Sequence, residues 1–147
     1  MDFRKAFAYF ALVVSLVGLT LPAKAAVLVH VDTSVNVVSS RFLLSAFSMR
    51  TRFWPDGEPI RVFVLPDNHP YHVRFTKQQL GVFPYQMRGN WDRIAFSGAG
   101  TYPEVVKTME EMLEKISTTP GAIGYYDLDT HFQAIGVPNV KMLRIKK

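Results

Sequence analysis

The first 25 residues decide how much chain is left to fold. Arg4 and Lys5 form a positive start, Ala6 to Leu21 an uncharged apolar run, and Ala23-Lys24-Ala25 a small-x-small cleavage site. In that order these are the three parts of a secretory signal peptide. The competing reading, a retained membrane anchor, needs about 20 apolar residues, and this run meets Pro22 and Lys24 first. Cleavage after Ala25 is expected, with no membrane span afterwards. Taking 25 residues from 147 leaves 122, enough for one compact domain with a real core and too few for two. Residues 26–147 are therefore expected to be one soluble domain working outside the cytoplasm.

That compartment permits disulfides, yet the sequence has no cysteine, so an apolar core has to supply the stability. The formal net charge is +5, and once Arg4, Lys5, Lys24 and Asp2 leave with the leader only a mild basic excess remains. Nucleic-acid binders gather Lys and Arg into a patch or stripe. Here they are scattered, except in Arg144-Ile145-Lys146-Lys147, which reads as a solvated basic tail. Nucleic acid is set aside as a partner.

Along the exported part, short β-branched runs alternate with helical patterns. Ala26 to Asp32 (AVLVHVD) reads as a buried strand, and Ser39-Ser40 can cap a helix carrying Phe42, Leu43, Leu44, Ala46 and Phe47. Pro55-Asp56-Gly57 is a turn, and Ile60 to Leu65 a second strand. Asp67 or Asn68 can cap a helix reaching about Leu80, with Pro70 in its first turn. Pro84 starts another helix, with Phe83, Met87, Trp91 and Ile94 on one face. Thr108 and Glu111 form a capping box ahead of a face of Val105, Met109, Met112, Leu113 and Ile116. Ala122 to Tyr126 and Val140 to Ile145 complete the strands. The pattern predicts an α/β domain, a mixed central sheet flanked by helices.

Little in it points to chemistry. His69 and His72, with Asp67, could share a metal, but their spacing matches no stereotyped zinc pattern, and capping or surface roles fit them better. There is no G-x-S-x-G elbow and no cysteine nucleophile. Ser97-Gly98-Ala99-Gly100-Thr101 lacks the lysine of a phosphate loop and reads as a helix-to-helix connection. Asp127, Asp129 and His131 read as a polar loop. The domain is expected to be non-enzymatic, with no cofactor and no metal.

The order of the segments carries a resemblance. VLVHVD, SSRFLLSAFSMRTRFWPDGEPIRVFVLP, VFPYQMRGNWDRIAFSGAG and EEMLEKISTTPGAIGYYD follow one another as in the periplasmic phosphate-binding proteins of ABC importers. The closest matches are Phe42 to Phe47, Trp54 to Ile60 (W-x-D-G-x-P-I) and Pro120 to Tyr125 (P-G-A-I-G-Y). The resemblance implies a single lobe of a type II periplasmic-binding-protein-like fold, short of the second lobe that normally closes over an oxyanion. It also implies an arginine and then S-G-T at the start of the helix after the second strand. This sequence has Leu65 and His69-Pro70-Tyr71 there. What remains is the helix start, whose free amides and dipole favour an anion, with Asn68, His69, Tyr71, His72 and Arg74 as ligand-binding candidates.

Two functions follow. The first is a periplasmic binding module like the substrate-binding component of a phosphate ABC transporter, holding phosphate or another small anion weakly. The second is a periplasmic interaction or structural subunit that has lost ligand binding, with aromatics such as Phe53, Trp54 and Tyr85 meeting a protein partner or a second copy, although core packing is the commoner role of each such residue.

Overall fold

The computed structural model describes residues 25–127 and 136–147. Residues 1–24 of the expected leader therefore lie outside the described residues, as do Asp129 and His131, while Ala25, the last residue before the expected cleavage, opens the first strand. Among those described, the order is β1 (Ala25–His30), β2 (Val37–Ser39), α1 (Ser40–Phe47), β3 (Arg61–Val64), α2 (Pro70–Phe75), α3 (Pro84–Phe96), β4 (Glu104–Val105), α4 (Met109–Thr118), β5 (Ala122–Asp127) and β6 (Val140–Lys146). The strands form one mixed sheet in the order β2-β6-β1-β5-β3-β4. Strand β1 is antiparallel to both β5 and β6, while β3 is parallel to β5 and β4, and β2 to β6.

Every residue of β1 is buried, as expected of an interior strand with helices on both faces. Alternation along β5 shows which helix lies where. A side chain at Gly124 would meet Met112 and Ile116 of α4, whereas the Tyr125 ring stacks on Phe75 of α2 and lies near Phe47 of α1. Neighbouring residues of a strand point to opposite faces, so α4 covers one side and α1 with α2 the other. Helix α3 meets the C-terminal end of α1, its Trp91 donating from Nε1 to the Phe47 carbonyl at 2.8 Å.

Two strands escaped the sequence reading. β2 is three residues long and pairs with Arg144, Ile145 and Lys146 at the far end of the chain, so the basic tail is sheet rather than free terminus. β4 has two residues, set after Pro103 on the outer edge, where a proline's missing donor is tolerated. The Ser97–Thr101 segment thus joins a helix to a strand, and Val105, expected on a helix face, is half exposed in β4. Helix α2 runs on into a π-helical turn at Thr76–Leu80 and stops at Gly81, which takes φ 68°. Its cap is His69, not Asp67 or Asn68. Asp127 closes β5 instead of lying in a loop, and Trp54 is buried, only 2% exposed.

The two distant motifs of the resemblance meet in space. The Gly121 carbonyl accepts from the Trp54 indole at 3.1 Å and from the Arg61 amide at 3.0 Å. Gly121 has φ 77°, and a Cβ there would sit 2.2 Å from the Pro59 carbonyl oxygen. Gly121→Ala is expected to cost about 2–4 kcal/mol, from the positive φ and the backbone clash together. Gly81→Ala, strained but open, should cost about 1 kcal/mol. Urea midpoints of the two variants measure the difference, and equal losses would contradict the close approach.

Candidate functional site

In an open α/β sheet, ligands bind outside the carboxyl ends of parallel strands. Here β3, β4 and β5 run the same way, so their carboxyl ends share one edge. α2 and α4 start from the first two of these strands, placing two helix N-termini side by side. Between them lies a cavity of about 250 Å³, walled by His69 and Tyr71 from the start of α2, Lys107 to Glu110 from the start of α4, and Tyr126 of β5.

The five candidates part company at this edge. His69 and Tyr71 line the cavity, and the His69 ring turns its Nδ1 to accept from the Tyr71 amide at 3.2 Å. One donor of the helix start is therefore taken by the chain itself. Asn68 is exposed in the preceding turn and is not part of the wall. Arg74 pairs with the buried Asp127 carboxylate and lies over the Tyr71 ring, its Cζ 5.8 Å from the centroid. This fastens α2 to the end of β5.

His72 lies inside, 1% exposed. Its Nδ1 is 2.5 Å from the Tyr125 hydroxyl, which also accepts from the Leu65 amide at 2.8 Å. The phenol and the imidazole thus share one short hydrogen bond, whose donor is set by the tautomer of the neutral ring. Nε2 has no hydrogen-bond partner among the described residues. Burial, opposed by the nearby Asp67 charge, pushes the His72 pKa down to about 4, and it holds the Tyr125 phenol protonated well above its usual range. Asp67 is engaged by Arg88 through two contacts of 2.8 Å, which hold its carboxyl below the ordinary value. His69, His72 and Asp67 thus face different partners. No group of three or more metal-ligating side chains occurs among the described residues.

No family model matches the sequence, and no curated protein matches it. Solved structures do. They include a putative phosphate ABC transporter substrate-binding protein from Clostridium perfringens, solved with bound phosphate (TM-score 0.64, 13% identity, 84% of this chain and 45% of that one). An ABC-type phosphate transport receptor from Vibrio cholerae matches at TM-score 0.63 and 13% identity, over 85% and 47% of the two chains. PstS from Borrelia burgdorferi matches at 0.64 and 13%, over 85% and 48%. The chain has the fold of one lobe of a substrate-binding protein. It spans just under half the length of each of these relatives, and the likeness is one of fold. The single type II periplasmic-binding-protein-like lobe expected from the segment order is the architecture found.

Lys107, Thr108, Glu110 and Tyr126 were not among the sequence candidates. The capping signal at Thr108 was legible, and its hydroxyl does accept from the Glu111 amide at 3.1 Å. That this helix start lies beside α2 depends on β4, a strand too short to read.

The buried neutral His72 makes stability depend on pH. Its folded pKa lies below the unfolded value of 6.5, so the unfolded chain takes up a proton that the folded chain refuses. Stability should fall as pH drops from 6.5 toward 4, by about 3 kcal/mol, and this contribution should then level off. The part due to Asp67 is lost only below its ordinary value of 3.8. Urea unfolding across this range should show the slope, and His72→Gln should flatten it. An unchanged slope in the variant would assign the effect elsewhere.

Proposed function

We infer that this chain is a non-enzymatic binding module of the periplasm, related in build to the substrate-binding component of a phosphate ABC transporter and holding a small anion-bearing ligand weakly. The observation that carries the reading is the cavity at the carboxyl edge, set between two helix starts in a lobe whose fold is shared with three phosphate-transport proteins. Helix amides and the Lys107 ammonium supply positive potential there, and the His69 ring borders it. Weak binding fits the departures from the family pattern, since Leu65 stands where an arginine is expected and the His69 cap consumes the Tyr71 amide. The signal-peptide pattern read in residues 1–25 of the sequence supports the compartment.

Calorimetric titration with phosphate and with sulfate tests this. Dissociation constants of about a millimolar are expected, weakened several-fold by Lys107→Ala or His69→Ala. No heat from either anion at millimolar concentration would remove oxyanion binding from the reading.

A second reading, an interaction subunit, has an observation of its own. Phe83 and Tyr85 stack on the surface with centroids 5.7 Å apart and planes 10° apart, although 48% and 71% exposed. Large exposed aromatics are what interfaces bury. Light scattering should then show a dimer that Tyr85→Ala dissolves, and a strictly monomeric protein would count against self-association.

A further inference from the structure

We propose that the ligand of the carboxyl-edge cavity is a small zwitterion, a molecule carrying a carboxylate and an ammonium a few bonds apart beside a short apolar group, as an α-amino acid does. The proposal rests on the binding-module reading and narrows it. Three features of the cavity wall lead to it.

The first is a pair of opposite charges. Lys107 and Glu110 both line the cavity, and among the described residues neither side chain takes part in an ion pair. A bare anion satisfies one of them and is repelled by the other. A zwitterion satisfies both.

The second is the state of the α4 start. Glu110 and Glu111 occupy its first turn, and the Glu111 carboxylate already accepts from the Lys107 amide at 2.7 Å. The positive end of a helix is worth roughly half a charge, and here the chain's own carboxylates meet it. A phosphate dianion would add two more negative charges to that spot. A monoanion whose own ammonium faces Glu110 adds no net charge.

The third is size and polarity. Tyr71, Tyr126 and the buried Met109 give the cavity an apolar side, where a hydrocarbon group can lie and an ammonium can face a ring. Its volume of about 250 Å³ is below the roughly 300–1,000 Å³ of sites for drug-sized ligands. It still exceeds the need of a tetrahedral oxyanion, which fills roughly the space of two or three waters at about 30 Å³ each.

Calorimetry on the purified protein at neutral pH, with leucine, N-acetyl-leucine, leucinamide and inorganic phosphate as probes, tests the proposal. N-Acetyl-leucine lacks the ammonium and leucinamide the carboxylate. Leucine is expected to bind about 10-fold more tightly than each of the others, the difference a hydrogen-bonded charge makes. Glu110→Gln, at an exposed position, should close the gap between leucine and N-acetyl-leucine without weakening phosphate. Lys107→Gln should weaken both of the carboxylate-bearing leucine probes. Phosphate or N-acetyl-leucine binding as tightly as leucine would overturn the zwitterion and leave the binding module standing. No heat from any of the four, with the protein folded by circular dichroism, would overturn both.

Discussion

The Tyr125 hydroxyl is the point on which the site depends. It sits in β5 with 1% of its surface exposed, accepts from the Leu65 amide where β3 ends, and meets His72 in α2. One oxygen thus joins the central sheet, the strand that delivers the chain to the edge and the helix that borders the cavity. Burial raises the stakes, because removing it would leave the Leu65 amide without a partner, at about 1–3 kcal/mol. Around it, the Phe75 ring stacks at 4.0 Å and Phe47 meets Phe75 edge-on at 4.8 Å, so the same residue is also the centre of an aromatic cluster.

This arrangement separates two jobs that the histidines of one helix seem to share in the sequence. His72 faces inward, stays neutral, and holds α2 to the sheet. His69, three residues earlier, faces the edge and caps the helix. Arg74 faces β5 and pairs with Asp127. Three polar side chains within six residues therefore serve three different neighbours, which is why they do not converge into a metal or anion site of their own. The cavity takes its remaining charge from α4, a helix separated from α2 by α3 and β4 in the chain.

The fold was legible wherever the signal was local. The run AVLVHVD, the Ser39 cap, the Trp54-Pro55-Asp56-Gly57 turn, the Thr108 cap and the AIGYY strand all appear close to where their residue types place them, because each is specified by neighbours within a few positions. The π-helical turn at Thr76–Leu80 was not legible, since nothing in TKQQL departs from a 3.6-residue pattern. Core packing was the reading its residue type favoured for Trp54, but its partner was not legible: the Gly121 carbonyl, far along the chain, takes its indole hydrogen.

Taken alone, the sequence determined the alternation of strands and helices, the absence of disulfides, the capping residues and the order of segments that marks a binding-protein lobe. These follow from periodicity, backbone preference and side-chain chemistry, which act over one turn or one strand. The tertiary structure decided which helix starts stand together, which charges face one another and which remain unpaired. Those depend on sheet order and on strands as short as β2 and β4, whose stability comes from pairing with Arg144–Lys146 and with Phe63–Val64. A two- or three-residue strand has almost no preference of its own, so only long-range hydrogen bonding brings it into existence, and the cavity that it helps to place could not be read from the chain before the sheet had closed.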